Sequence, residues 1–254
     1  MKRNFSAALL AFSLTAASSA LAQTASDQIA AGDRAYASMN AAGALSAYER
    51  ALSSNPVNYE ALWKASRSAI DLGSHDTDKA RRNKLYSKGE QYARTAVASK
   101  PGDAQGHFAV ARALGKTALG ESARGRVKYA AEIRSAALEC LRLDPGHAGC
   151  LHVMGMWNAE VMRLNGVARL VAKKILGGTV LGTASWKDAV RYMEAAVAAE
   201  PDVIVHHVDL GGIYADVNQL AKARAEYETS LRLPIADLND AAYKAQVRSA
   251  LKSM

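Results

Sequence analysis

This chain contains few segments that favour β-strands and few aromatic residues from which an aromatic core could be built. Aromatic residues make up 6% of its 254 residues, and it has five prolines and two cysteines, whereas Ala, Leu, Arg, Glu and Lys dominate. Short β-branched runs such as residues 203–205 fall inside longer helical patterns. This composition favours an all-helical protein, and the length suits one long domain.

The motifs of common catalytic and metal-binding sites are also missing. The histidines form no HExxH, and the pairs His147/His152 and His206/His207 have spacings that do not place both rings on one helix face. The glycine pair at 177–178 lacks the lysine and hydroxyl ending of a phosphate loop, and neither GxSxG nor a reactive-cysteine motif occurs. We therefore expect a non-catalytic protein with no metal or other cofactor.

Positively charged residues are in mild excess, and the formal net charge is +8. The basic residues are scattered and no nucleic-acid reading motif occurs, so we expect no nucleic-acid partner. Attraction to an acidic partner or an anionic membrane surface stays open. Lys173 and Lys174 lie beside apolar residues and could touch a membrane, but a solvated face is the simpler interpretation, so peripheral membrane contact is not expected.

Residues 1–22 have the form of a secretory signal peptide. Two basic residues precede the apolar segment 5–17, and a small–x–small site at 20–22 ends it. No cysteine follows that site, which argues against a lipoprotein anchor, and no later segment is long and apolar enough to span a membrane. The sequence predicts a mature domain of residues 23–254, exported to the periplasm of a Gram-negative bacterium.

The five prolines punctuate the mature chain. Each ends a helical stretch, lies five residues after a small residue, and is followed by a new apolar stretch at helical spacing. The segment 238–254 then has the pattern of a final amphipathic helix that covers the last repeat. The sequence predicts an all-α, tetratricopeptide-like right-handed solenoid of about five helix pairs plus a C-terminal capping helix. The prolines are Pro56, Pro101, Pro145, Pro201 and Pro234.

The first repeat has the clearest pattern. Gly32 is placed where two backbones approach closely, while Ala44, Tyr48 and Ala51 share one face of the second helix before Pro56. The middle three repeats exceed the usual period of about 34 residues. We expect their extra residues between the helices, at 73–83 and 120–125, and in a longer apolar insertion at 166–184.

The two cysteines, Cys140 and Cys150, lie five residues on either side of Pro145 and would face each other across a helix–helix turn. Export to an oxidising compartment makes a disulfide one interpretation, and two small buried residues the other. A metal site is not expected, because no paired histidine spacing accompanies the cysteines.

The first helices of a tetratricopeptide array line a concave groove, so we counted back from each proline to find equivalent groove positions. An aromatic residue and an arginine four residues apart recur there and would form an aromatic floor with a guanidinium rim. The predicted groove set for a partner is Trp63, Arg67, Phe108, Arg112, His152, Met156 and Arg163.

A simpler interpretation of these residues stays open. Trp63 and Phe108 could be core between repeats, since aromatics at helical spacing usually are. Arg67 and Arg112 could be solvated or paired with an acidic neighbour; the candidates for that pairing are Glu60 and Asp71.

Several segments from residue 59 onward resemble one family. They are YEALWKASRSA, GRVKYAAEIRSAALECLRLDPGHAGCLHVMGMW, and GTASWKDAVRYMEAAVAAEP followed by LPIADLNDAAYKAQ. With the HxxGxW motif of His152, Gly155 and Trp157, they are similar to the tetratricopeptide-type domain of the regulator of microtubule dynamics family. Eukaryotic members of that family are microtubule-associated or organelle-contact proteins whose repeat domain binds phospholipid.

The export signal separates this chain from those members, so the microtubule role is not expected to transfer. Two functions are then predicted. The first is a periplasmic scaffold that binds a protein or peptide in its groove. The alternative is a phospholipid-binding or lipid-transfer protein, which needs an apolar cavity of several hundred Å³.

Overall fold

The computed structural model describes residues 24–164 and 181–254. Within these ranges every regular element is helical, as the sequence predicts, with one short 3₁₀ turn at Leu181–Thr183. The helices are α1 (24–37), α2 (Ala41–Ser54), α3 (Tyr59–His75), α4 (Lys79–Ser99), α5 (Ala104–Leu119), α6 (Ala123–Leu143), α7 (Ala148–Arg163), α8 (Trp186–Ala199), α9 (Ile204–Asp216), α10 (Leu220–Arg232) and α11 (Asp240–Lys252).

The prolines stop helices as predicted. Helix α2 ends at Ser54, the N–H of Asn55 donates to the Ala51 carbonyl, and Pro56 follows. The same arrangement, with a proline two residues after the last helical residue, ends α4, α6, α8 and α10. Because proline has no N–H and clashes with the preceding turn, the helix cannot continue through any of these points.

The helices form pairs, α1/α2 to α9/α10, and each pair stacks on the next. Alanines with no exposed surface, such as Ala51, Ala96 and Ala196, line the seams between helices and admit close packing. In the first pair a Cβ added at Gly32 would lie 2.3 Å from Cε1 of Tyr48. The close approach at Gly32 is therefore between a backbone and an aromatic ring, rather than between two backbones.

The extra residues of the second and third repeats lengthen helices, which corrects the expectation that they lie between them. Helices α3 and α4 have 17 and 21 residues, against 14 in α2, and only residues 76–78 separate them. Asp78 and Ser122 cap α4 and α6, accepting hydrogen bonds from the N–H groups of Arg81 and Gly125. These caps begin the second helices soon after the first ones end, so most of the extra residues are helical.

Helix α11 packs on α9 and α10 as the predicted cap. Val247 is fully buried there, and the Lys244 ammonium donates to the backbone carbonyls of Leu231 and Leu233. Asn239 precedes the helix without capping it, while the Asp240 carboxylate accepts the N–H groups of the loop before it. In the described ranges no helix has both the length and the hydropathy to cross a membrane.

Candidate ligand-binding cavity

A cavity of about 490 Å³ lies between α5, α6, α7, α9 and the segment 236–243. Its wall is mostly apolar, with Val127, Ile133, Trp157 and Val161 among the lining side chains. The extended ends of α5 and α6 contribute to this wall, so the longer helices of the third repeat help to create the space. Ligand sites typically have volumes of about 300–1,000 Å³ and predominantly apolar walls, so the cavity has the dimensions of such a site.

Two local features keep the cavity apolar and open. The Trp157 indole N–H donates to the Ala130 carbonyl at 2.8 Å, so the ring can face the cavity without an unpaired polar group. Gly115 also lines the cavity, and a Cβ added there would meet no atom of the described residues within 4 Å. A side chain at position 115 would therefore project into unoccupied space.

A buried carboxylate, Asp71, connects three parts of the concave face. Its exposed fraction is 0%, and it accepts from Arg112 at 2.5 Å, from the Tyr36 hydroxyl at 2.8 Å and from the Asn239 amide at 3.3 Å. Burial alone would lower the pKa of Arg112, but Asp71, together with Tyr36, Asp237 and Tyr243, more than offsets it, so that pKa is raised above its usual value. Asp71 therefore attaches α1, α5 and the C-terminal segment to α3.

The C-terminal segment 236–243 crosses the concave face at this point. Asp237 lies 3.4 Å from the Tyr36 hydroxyl, which belongs to the first helix. Tyr243 lines the cavity, and burial raises the pKa of its phenol. The segment consequently closes one side of the cavity and occupies part of the groove that the sequence predicts to be available to a partner.

Lys116 lies one helical turn beyond Arg112 and lines the same cavity. Burial is the main cause of the lowering of its pKa, and the positive charge of Arg112 adds to it. Among the described residues the ammonium has neither a hydrogen-bond nor an ion-pair partner.

Two histidines from different helices meet at the cavity wall. Nδ1 of His152 lies 2.8 Å from Nδ1 of His206, and Nε2 of His152 lies 3.2 Å from Asp209. Burial, then the charges of His152 and His207, lower the pKa of His206 to about 3. The spacing of histidines along the sequence indicates only pairs that share one helix. It could not predict this pair, because His152 and His206 come together only when α7 packs against α9.

The structure separates the predicted groove residues into two groups. Phe108, Arg112, His152 and Met156 line the cavity, but Trp63, Arg67 and Arg163 do not. Because the Arg112 guanidinium is bound to Asp71, it is not free to bind a partner, and the pairing left open in the sequence is the one that forms.

The other predicted groove residues have local partners. Trp63 is partly buried and packs against the cores on both sides of it. Arg67 stacks at 3.6 Å from the centre of the Tyr36 ring. Arg163 binds Glu160 and Asp216 at 2.7 and 2.6 Å. These contacts do not form the continuous ladder that the sequence suggests.

Cys140 and Cys150 are joined in the structure, with the sulfur atoms 1.98 Å apart and the Cα atoms 6.3 Å apart. Both residues are fully buried beside the turn at Pro145. His147 caps α7 in the same turn, where its Nδ1 accepts the N–H of Cys150. The cross-link ties α6 to α7, which form two walls of the cavity.

Some sequence predictions fall outside the described residues. They are the signal peptide at 1–22, the lysine pair at 173–174, and the part of the insertion 166–184 that precedes residue 181.

Comparison with known proteins identifies both a family and a fold. The model of the family described as "Regulator of microtubule dynamics protein 1-3" matches residues 28–254. No curated protein sequence matches the chain.

Among solved structures, the tetratricopeptide protein TTC0263 of Thermus thermophilus is 22% identical with a TM-score of 0.61, covering 89% of this chain and 98% of its own. PilF of Pseudomonas aeruginosa is 12% identical with a TM-score of 0.52, covering 92% and 86%. MamA of Desulfovibrio magneticus is 12% identical with a TM-score of 0.50, covering 83% and 94%. The chain thus has the tetratricopeptide fold, which is typical of protein-interaction scaffolds.

Proposed function

Since the chain belongs to the regulator of microtubule dynamics protein 1-3 family, and since its repeats enclose an apolar cavity, we propose that it is a non-catalytic binding protein for a lipid-like small molecule. The microtubule role in the family's name is not extended to this chain, because residues 1–22 have the form of an export signal. We propose that the mature protein acts in the periplasm of a Gram-negative bacterium.

The observation that carries this proposal is the cavity of about 490 Å³ and its apolar wall. Water gains few hydrogen bonds from such a wall, so an apolar ligand that replaces it is favoured. The segment 236–243 closes one side and would shield the ligand from solvent. Small side chains at the wall, including Ala111, Ala118 and Gly115, leave the room that a ligand would fill.

Native mass spectrometry of the purified protein tests the proposal. We expect it to carry a lipid or fatty acid, or to take one up from phospholipid vesicles. Gly115→Phe should reduce uptake strongly, because the ring would occupy the cavity, while the thermal midpoint stays unchanged or rises. Gly102→Phe is the matched control, since Gly102 also has no atom near an added Cβ but does not line the cavity. A clean apo mass together with no uptake by the parent would exclude the proposal.

A peptide-binding scaffold is the second candidate, favoured by the tetratricopeptide fold. The Arg67 guanidinium lies over Tyr36 on the concave face, outside the cavity, and its Nε is buried with no hydrogen-bond partner in the described chain. Arg67→Ala should weaken capture of one defined partner in a pull-down and leave lipid uptake intact. If a partner is captured equally by the parent and by Arg67→Ala, it does not use this face.

The proposed location has its own test. Cell fractionation with amino-terminal sequencing should find the protein in the periplasm, with its chain beginning at Gln23. A cytoplasmic protein that keeps residues 1–22 would contradict the proposal.

A further inference from the structure

We propose that the ligand is an anionic amphiphile with a single acyl chain, and that Lys116 binds its carboxylate or phosphate. This proposal rests on the proposed function and names the ligand class of the same cavity. Its starting point is the balance of charges at the cavity wall.

Among the residues that the structure describes, three side chains of lysine or arginine line the cavity, and two of them are already neutralised. Arg112 is paired with the buried carboxylate of Asp71, and Arg126 donates to Glu160 at 2.8 Å. Lys116 is the remaining one, and in residues 24–164 and 181–254 it has no such partner. Lys116 is half-buried, and its ammonium has no counter-charge at a mostly apolar wall, so an anion that enters the cavity gains the interaction that the protein does not supply.

The acidic side chains around the cavity do not fill this role, because each has another partner or faces solvent. Asp71, Asp209 and Asp237 act on Lys116 only at longer range, and the net effect on its pKa is still a lowering, caused by burial and by Arg112. Glu160 binds two arginines, Asp209 faces His152, Asp237 accepts from Asn239, Asp240 accepts backbone N–H groups, and Asp202 is exposed.

The positions of the polar and apolar groups fit an amphiphile. Lys116 lies on α5 near Arg112, where the C-terminal segment closes the concave face, and Trp157, Val161 and Ile133 form apolar wall on α7 and α6. A ligand with an anion at one end and a hydrocarbon chain at the other would satisfy both parts.

The volume sets the number of chains. If each heavy atom of the ligand needs about the volume of a water molecule, ~30 Å³, a cavity of about 490 Å³ holds roughly 16 of them. That capacity matches one acyl chain with its head group, whereas the two chains of a diacyl phospholipid would extend beyond it. We therefore expect a fatty acid, or a phosphate ester with one chain.

Calorimetric titration of the delipidated full chain tests the proposal with three probes of equal chain length. They are dodecanoate, dodecyl phosphate and uncharged dodecanol, each below its critical micelle concentration. We expect dodecanol to bind about tenfold more weakly than the better anion, since a charge-assisted hydrogen bond is worth roughly that factor. Whether dodecanoate or dodecyl phosphate binds more tightly distinguishes a fatty acid from a phosphate ester.

Lys116→Met should reduce the affinity for the anion about tenfold, to that of dodecanol, while dodecanol binds as before. Lys116→Arg should retain most of the affinity for the anion, because the positive charge is kept. Lys128→Met is the matched control, since Lys128 is exposed on α6 and does not line the cavity.

The results separate this proposal from the proposed function. If dodecanol binds as tightly as both anions, or if Lys116→Met binds the anion like the parent, the Lys116 assignment is overturned while the cavity function stands. If none of the three probes binds, the ligand class proposed here is overturned, and the cavity function is overturned with it if the parent also takes up no lipid from vesicles. Uptake of one diacyl phospholipid per protein from vesicles would overturn the single-chain part.

Discussion

Asp71 and Asn239 are 168 residues apart in the sequence, and the Asn239 amide donates to the Asp71 carboxylate at 3.3 Å. The same carboxylate is bound by Arg112 and by Tyr36. One buried acid on α3 therefore holds the C-terminal segment against the concave face, and that segment closes the cavity. The chain's own C-terminal segment therefore covers part of the concave face of this solenoid, and that part is not accessible to a partner.

Asp71→Ala should destabilise the protein by about 3–5 kcal/mol, because it leaves the Arg112 guanidinium buried without its counter-charge. It should also speed hydrogen exchange in residues 236–243, which lose one of their anchors. Urea denaturation and exchange mass spectrometry measure the two effects. Asn239→Ala removes one hydrogen bond and should cost about 1 kcal/mol. Equal losses in the two variants would contradict the central position assigned to Asp71.

The order of helices could be predicted from the sequence, because the rules that fix it are local. A proline such as Pro56 ends its helix through its own ring and missing N–H, whatever surrounds it. The hydrogen bond from Asn239 to Asp71 could not be predicted in this way. The contact with Asn239 depends on how the three further repeats stack before the chain returns to α3, and no short segment of the sequence determines that arrangement.

The seam between stacked helices predicts a second effect. Ala196 has no exposed surface, so Ala196→Glu would bury a carboxylate without a partner and should cost several kcal/mol, about 3 or more. Ala198→Glu, on the exposed side of the same helix, should change stability by less than about 0.5 kcal/mol. Thermal denaturation followed by circular dichroism compares them. If both variants melted like the parent, the repeat register described here would be wrong.

The cross-link between Cys140 and Cys150 predicts a third effect. The cysteines are 10 residues apart, and closing a loop of that size stabilises a fold by about 2–3 kcal/mol through the entropy of the unfolded chain. A reducing agent should therefore lower the thermal midpoint of the parent. The double variant Cys140→Ser with Cys150→Ser should begin at the lower value and not respond to the reducing agent. A parent that melts identically with and without reductant would contradict the prediction.

Part of the candidate site, like part of the fold, could be predicted from the sequence, and part of it could not. The family motif at His152 to Trp157 and the positions of Phe108 and Met156 could be predicted from the sequence, and these residues line the cavity apart from Gly155. The charge balance at Lys116 is not, because it depends on which acids the arginines have already bound. The sequence predicts Arg112 as the cation that would bind a partner. In the structure Arg112 is paired with Asp71, and Lys116, one turn further along the helix, is the cation that can bind a ligand.

The histidine pair predicts how stability depends on pH. The folded-state pKa of His206 is lowered to about 3 from 6.5, because of burial and the nearby His152 and His207. The folded protein therefore binds fewer protons at this ring than the unfolded chain does. Its contribution to stability is complete above pH 6.5 and is lost as the pH falls towards 3, with a slope approaching about 1.4 kcal/mol per pH unit.

His206→Gln should remove this component, so its stability should fall less steeply than that of the parent between pH 6.5 and about 4. His207, whose pKa is raised by Glu226 at 2.6 Å, acts in the opposite direction: its contribution is complete below pH 6.5 and is lost as the pH rises through its folded-state pKa. The exposed His75→Gln is the control and should follow the parent. The measurement is the urea midpoint of each variant across this pH range. If the midpoints of the parent and of His206→Gln changed equally with pH, the prediction would be wrong, because His206 would then bind a proton equally well in the folded and unfolded states.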